Sequence, residues 1–150
     1  MKKLLIFAAL IALAGSASAQ EAAKLVKADD VVWKDHPFSR GLQIAVLVGN
    51  PRKAEVVVQR VKFPPNFQLA PHTHPYAEVL TVISGSVGVG MGEQFNPAKG
   101  ELVKAGSVHA VPAKTSHYLW TEKEGVILQI QFVGPGGINY VNPADDPRKK

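Results

Sequence analysis

Short apolar segments separated by glycine and proline dominate this chain from Gly41 onward. Four segments rich in Val, Ile and Leu cover residues 42–48, 55–63, 78–83 and 126–133. Short strands at intervals of about ten residues, punctuated in this way, are typical of all-β barrels and sandwiches. No long helical stripe competes with this pattern, so the sequence predicts one all-β domain. Breaks between strands are expected at residues 49–51, 64–66, 84–86, 96–97 and 134–137.

The first 19 residues have the character of a targeting segment. Lys2 and Lys3 precede an apolar run over residues 4–14, and residues 17–19 read Ala-Ser-Ala, which fits a small-residue cleavage site. This pattern predicts a signal peptide over residues 1–19, cleaved before Gln20. The apolar run is shorter than the roughly 20 residues that a spanning helix needs, so no stable membrane anchor is expected. We therefore expect a periplasmic or secreted protein.

Charge and cysteine content exclude several classes of function. The chain has 17 basic and 12 acidic residues, a net charge of +5 and no cysteine. It has no basic stripe with interleaved aromatic residues, so nucleic acid is not an expected partner. Without cysteine there are no disulfides, no thiolate catalysis and no thiolate metal ligands. Stability must come from the core, with metal binding or self-association as further sources.

The chain shows no repeat and no linker that would divide it into several domains. The expected organisation is an N-terminal arm over residues 20–40, a β-barrel over residues 41–142 and a C-terminal tail over residues 143–150. Residues 20–30 fit either one short helix or an extended arm. Because an all-β domain must protect its edge strands, this arm is a candidate for pairing two copies into a homodimer.

Residues 72–78, His-Thr-His-Pro-Tyr-Ala-Glu, predict a metal site. A lone histidine is more often a surface or core residue, but His72, His74 and Glu78 share one parity. In a strand, side chains of one parity point to the same face. His117, five residues after Pro112, is the predicted fourth ligand. Imidazole nitrogen and carboxylate oxygen suit divalent transition metals, and four such ligands leave positions open in an octahedral shell.

These two segments resemble the two sequence motifs of the cupin superfamily. The first motif, G-x5-H-x-H-x3,4-E-x6-G, is matched at His72, His74, Glu78 and Gly85, with Asn66 in place of its leading glycine. The second motif, G-x5-P-x-G-x2-H-x3-N, is matched at Gly106, Pro112 and His117, with Lys114 in place of its second glycine and Thr121 in place of its asparagine. Asn tolerates left-handed backbone, whereas Lys114 is strained if its turn needs a positive φ.

The resemblance implies a single-domain cupin, that is, a double-stranded β-helix or jelly-roll barrel. It implies that His72, His74, Glu78 and His117 hold one divalent transition metal: Fe, Mn, Zn, Cu or Ni. The ending of the chain is similar to that of small exported bacterial cupins whose reactions are mostly unassigned.

For the function, the resemblance implies a small-molecule ligand or substrate and a metal-dependent oxygenase (an oxidoreductase), isomerase or lyase. Fold-level similarity does not choose among these reactions. A non-enzymatic protein that binds a small ligand or senses a metal is the alternative, and a structural cupin with a vestigial site is a weaker one. No separate catalytic base is identifiable.

Four further residues are candidates for the lining of a pocket. His109 lies in a strand-like run and could act as an acid or base, or pack as an ordinary strand residue. Tyr76 shares the parity of the ligands and could line the cavity or simply pack. Gln129 and Gln131 share one face of an otherwise apolar strand. If that face is interior they would contact a substrate or support the site, and otherwise they face solvent.

Overall fold

The structure is a computed structural model that describes residues 23–37 and 39–149. The predicted signal peptide, residues 20–22, Phe38 and Lys150 lie outside the described residues. Within them the chain forms four one-turn 3-10 helices and no α-helix, and none of these helices is long and apolar enough to cross a bilayer. The described residues also form ten strands: β1 Lys34–Asp35, β2 Gln43–Val48, β3 Val56–Phe63, β4 Gln68–Thr73, β5 Glu78–Met91, β6 Glu101–Lys104, β7 Val108–Val111, β8 His117–Trp120, β9 Val126–Val133 and β10 Asn139–Tyr140.

All strand pairs are antiparallel and form two facing sheets that share the long strand β5. Sheet A has the order β1-β2-β3-β9-β5-β7, and sheet B has the order β10-β4-β8-β5-β6. Connections of this kind curl an antiparallel sheet into a jelly-roll barrel. The all-β, jelly-roll prediction is therefore confirmed.

Strand β5 passes from one sheet to the other at Gly85. Its first part pairs with β7 and β9, and its second part, from Ser86, pairs with β6 and β8. The register shifts between Val82 and Ser84, and Gly85 has a φ of 76°. A Cβ at this position would collide with the carbonyl oxygen of Gly125. The predicted strand break at residues 84–86 is therefore wrong: the glycine bends a continuous strand through a bulge.

The apolar segments found in the sequence correspond to the central strands. Strands β2, β3 and β9 begin within one residue of the predicted segments and end at the same residue. The strand pattern missed β4 and β6, because each is short and mixes polar with apolar residues.

The hydrophobic core lies between the two sheets. Alternate residues of β9, Val126 and Leu128, are 2% and 0% exposed, and both belong to one cluster of buried side chains. The cluster draws on both sheets and consists of Leu42, Val61, Phe63, Leu80, Val82, Val87, Val111, Leu119, Val126 and Leu128. It forms the floor beneath the functional site described below.

The N-terminal arm folds back onto its own barrel. Between residues 23 and 37 the chain contains one 3-10 turn, Ala28–Asp30, and otherwise extended or irregular backbone. Lys34 and Ile44 are register partners, so β1 covers part of the edge strand β2. The Trp33 ring lies under the Nζ atom of Lys62, 5.2 Å from the ring centroid. Pairing with a second copy remains a prediction.

Candidate metal centre

Three histidines converge at one end of the barrel. His72 in β4 and His117 in β8 are register partners across the strand pair, and His74 follows the end of β4. One ring nitrogen of each lies within 4.8 Å of the other two. His72 and His117 are each 1% exposed, so the cluster faces the barrel interior. This is a group of donors that could hold a metal ion.

Backbone carbonyls fix the orientation of all three rings. Nδ1 of His72 donates to the Ala70 oxygen at 2.8 Å, that of His74 to the Gly137 oxygen at 2.5 Å and that of His117 to the Thr115 oxygen at 3.1 Å. Because a carbonyl can only accept, Nδ1 carries the proton in each ring. Each Nε2 then keeps its lone pair, which is the arrangement that metal-binding histidines use.

Glu78 lies beside the histidines but reaches them from another strand. Its Oε1 atom is 3.0 Å from Nε2 of His117 and 3.5 Å from Nε2 of His74. The strand-parity prediction for Glu78 is wrong, because β4 ends at Thr73 and residues 74–77 turn the chain before Glu78 begins β5. The side chains converge through this turn and not along one strand face.

The donor set fits a divalent cation. Nε2 of His117 is buried and has no hydrogen-bond partner among the described residues, although a carboxylate oxygen is 3.0 Å away. Both atoms carry lone pairs when Nδ1 is protonated, so they do not stabilise each other. A cation between them would satisfy both, and the nitrogen and oxygen donors suit a transition metal. The buried, unpartnered nitrogen is therefore evidence that a metal fits.

Burial keeps the imidazoles in the neutral form that binds metals. Burial, with His117 as the next cause, lowers the pKa of His72 to about 3. Burial also lowers the pKa of His74, although Glu78 acts in the opposite direction. Near neutral pH these two rings therefore carry no charge and can donate Nε2 lone pairs.

Tyr76 forms one wall of the site. Its ring stacks on His74, with centroids 5.1 Å apart, and on Phe132, with centroids 4.2 Å apart. Burial, followed by the charge of Glu78, raises the pKa of Tyr76 to about 12. The side chain is therefore a neutral phenol that holds the His74 ring in place.

The other predicted pocket residues lie in different places. His109 in β7 is the register partner of Leu80 and lines a cavity inside the barrel. Gln129 and Gln131 have the parity opposite to the core residues Leu128 and Phe132, so they lie on the outer face of β9. Gln129 accepts a hydrogen bond from Arg60 Nε at 3.2 Å. The structure thus does not bring the two glutamines to the histidine cluster.

Sequence reasoning missed the contribution of the C-terminal segment. The Gly137 carbonyl holds His74, and Tyr140 in β10 is the register partner of His72, with its ring 6.2 Å from the His72 ring. Asp146 and Arg148 then fix this segment, because the guanidinium donates to both carboxylate oxygens at 2.7 Å and to the Ile138 carbonyl at 3.2 Å. A backbone carbonyl leaves no signal in residue types, so the sequence could not show this role.

The departures from the cupin motifs have structural explanations. Asn66 and Lys114 both have positive φ, 54° and 61°, at the positions where the motifs carry glycine. Thr121 is 5% exposed. Its hydroxyl donates to the Pro64 carbonyl at 2.6 Å and accepts from the Phe67 amide at 2.9 Å. It thereby connects the end of β8 to the loop before β4.

Comparisons with known proteins agree with this architecture. The sequence profile of the cupin family matches residues 48–135. Among solved structures, the polyketide cyclase RemF from Streptomyces resistomycificus is similar with a TM-score of 0.68 and 21% identity, over 85% of this chain and 92% of that one. KdgF from Halomonas sp. has a TM-score of 0.59 and 17% identity, over 75% of this chain and 94% of that one.

The DMSP lyase DddQ from Ruegeria pomeroyi DSS-3 has a TM-score of 0.56 and 14% identity, over 71% of this chain and 57% of that one. At these identities the likeness shows the fold alone. No curated protein sequence matches the chain. The family profile covers more than half of the chain and includes all four predicted ligands, and the chain therefore belongs to the cupin family.

Proposed function

We propose that this protein is a metal-dependent cupin enzyme that acts on a small molecule. In this proposal His72, His74, Glu78 and His117 hold one divalent transition metal, with Fe, Mn, Zn, Cu and Ni as the candidates. The observation that carries the proposal is the state of the three histidine rings. Backbone carbonyls hold the proton of each ring on Nδ1, so each buried or half-buried Nε2 keeps its lone pair. Such a site is preorganised for a cation, because each ring is already fixed in its binding orientation.

The residues of this chain have separable roles in that activity. The three histidines and Glu78 bind and orient the metal, which when bound supplies a Lewis acid or a redox centre with open positions. Tyr76 holds His74 and excludes water from one side of the site. The buried floor formed by Leu80 and Leu119 keeps the surroundings apolar, which strengthens electrostatic interactions at the site.

Catalysis is preferred to simple binding because structures of similar fold include a polyketide cyclase and a DMSP lyase. The reaction class stays open between an oxygenase, an isomerase and a lyase. A protein that binds a small ligand or senses a metal without turnover is the alternative outcome of the experiments.

The metal is tested first, by elemental analysis of the purified protein. We expect about one transition metal per chain in the wild type and a loss of this metal in the double variant His72→Ala, His117→Ala. His36→Ala is the matched control, because this histidine lies outside the cluster. A wild-type protein that is isolated without metal and fails to bind added Fe, Mn, Cu or Zn would overturn the proposal.

Turnover is tested second, with the metal-loaded protein. Oxygen uptake and product formation are followed against catechols, diketones, flavonols and uronates. Turnover that disappears in the double variant supports an enzyme. Thermal stabilisation by these compounds without any product supports the binding protein instead.

Export and dimer formation complete the proposal. A chain exported unfolded must acquire its metal outside the cytoplasm, so we expect protein from the two compartments to differ in metal content. Cell fractionation and N-terminal sequencing test cleavage before Gln20. Sedimentation of the mature protein tests the homodimer, and a monomer at all concentrations would contradict it.

A further inference from the structure

A small cavity lies inside the barrel, next to the histidine cluster. Its volume is about 140 Å³. Most of its wall is apolar and comes from both sheets: Leu80, Val82 and Leu128 from sheet A, and Val87, Val89 and Val103 from sheet B. An apolar cavity of about this size is large enough for a benzene ring. The volume and the lining therefore favour a compact, mostly apolar molecule.

The cavity lies one layer below the metal centre. Leu80 follows Glu78 by two residues on β5, and Val89 is the register partner of Leu119, which follows His117 by two residues on β8. Two residues along a strand span about 6.6 Å. A molecule in the cavity is thus close to the metal centre.

In the described part of the chain, the wall also has three polar members, His109, Ser107 and Glu101, and among them His109 is the one with a buried ring nitrogen that lacks a partner. It is the register partner of Leu80, and directly paired residues share a face of the sheet, so its side chain is directed into the barrel. Its Nε2 atom is buried and has no hydrogen-bond partner among the described residues. Burial lowers the pKa of His109, His117 lowers it further and Glu78 raises it, which agrees with a position near the centre.

The cavity opens to solvent between β6 and β7. In the described residues each of these strands pairs with β5 alone, so no hydrogen bonds join them to each other. Glu101 and Val108, which are both exposed, belong to the lining on this side. A small molecule could therefore enter without unfolding a strand.

We propose that this cavity binds a compact apolar molecule carrying one hydroxyl group, of which phenol is the simplest example, with the hydroxyl hydrogen-bonded to Nε2 of His109. A hydroxyl fits either tautomer of His109, because it can both donate and accept. As a statement about the substrate class, this inference rests on the proposed function. It favours small hydroxylated aromatic or branched apolar compounds over uronates, whose many hydroxyls would lose their hydration against six apolar side chains.

The test compares phenol with toluene, which has the same size but no hydroxyl. Dissociation constants are measured by NMR titration of the metal-free and the zinc-loaded protein. We expect phenol to bind about tenfold more tightly than toluene, the effect of one well-formed buried hydrogen bond. His109→Leu should remove this preference and leave toluene binding intact. His109→Gln should keep part of the preference for phenol, because the amide can still form a hydrogen bond.

A variant that fills the cavity provides a second measurement. Val103→Phe, on the edge strand β6, should abolish binding of both probes, and its thermal unfolding shows whether it is folded. In the wild type, contacts detected by NMR between phenol and the Leu128 and Val87 methyl groups are expected without any substitution. Equal affinities for phenol and toluene, or no binding of either, would overturn the inference.

Failure of this inference can be distinguished from failure of the proposed function. If the wild type binds one metal but neither probe, the cavity inference fails and the metal proposal stands. If the wild type binds no metal but shows the phenol preference, the metal proposal fails. In that case the cavity is a binding site without a role in metal chemistry.

Discussion

The substitution Glu78→Gln should stabilise the metal-free protein. The Glu78 side chain is 3% exposed, and its Oε1 atom is 3.0 Å from Nε2 of His117 and 3.5 Å from Nε2 of His74. With the imidazole protons on Nδ1, three lone-pair donors meet in a buried site without a cation. A glutamine has nearly the same shape, carries no charge and can donate its amide hydrogen to His117.

The expected gain follows from the desolvation of the carboxylate and the new hydrogen bond. Replacing the buried, unpaired carboxylate by an amide that donates a hydrogen bond should raise the free energy of unfolding by about 1–3 kcal/mol. For a domain of this size, 1 kcal/mol corresponds to a change of about 4 °C in Tm. We therefore expect a Tm higher by several degrees for Glu78→Gln in the absence of metal, and a weaker stabilisation by added zinc.

Thermal and urea unfolding are measured at pH 8 in the presence of a chelator, and then with zinc. Glu93→Gln is the matched control, because this carboxylate is exposed on the surface and its substitution should leave the unfolding free energy nearly unchanged. If Glu78→Gln destabilises the metal-free protein, then Glu78 pairs with a protonated histidine. In that case the ring is an imidazolium with protons on both nitrogens, and the assignment of a neutral ring with a free Nε2 lone pair is wrong.

Three further substitutions test the surroundings of the centre and the fold. Leu128→Ala, at a fully buried position of the core, should lower the free energy of unfolding by about 3 kcal/mol in urea denaturation. Tyr76→Leu removes the ring stacked on His74 and should weaken zinc binding about tenfold in a chelator competition, whereas Tyr76→Phe keeps the affinity. Gly85→Ala should lower the free energy of unfolding, measured in urea, by about 2 kcal/mol more than Gly92→Ala does. Both glycines have positive φ, but only a Cβ at residue 85 would meet a backbone carbonyl.

The sequence predicted the fold well where residue types report burial directly. Strand β9 alternates between core and outer positions along its whole length, and its bounds match the predicted segment. The continuous strand through Gly85 could not be predicted, because a glycine next to two serines indicates a turn as readily as a bulge. Only the pairing of β5 with both sheets shows which of the two it forms.

The sequence named histidines that the structure brings together, but it did not give their geometry. His72, His74 and His117 converge, whereas Glu78 arrives from a different strand after a turn and not along one strand face. The carbonyls that orient the rings belong to Ala70, Thr115 and Gly137, and backbone atoms leave no trace in a sequence pattern.

The lining of the inner pocket was only partly within reach of the sequence, which named His109 but left the place of the two glutamines open. The parity of Gln129 and Gln131 fixed that they share a face of β9, but only the packing of Leu128 showed which face is the outer one.

X-ray absorption spectroscopy of the protein purified from its native compartment tests the central claim most directly. We predict one transition metal per chain, bound by three imidazole nitrogens and a carboxylate oxygen at about 2.0–2.2 Å. The imidazole scattering should fall when His72 and His117 are replaced by alanine. A metal bound without imidazole ligands, or a spectrum that is unchanged in the double variant, would contradict the assignment of His72, His74, Glu78 and His117 as the metal centre.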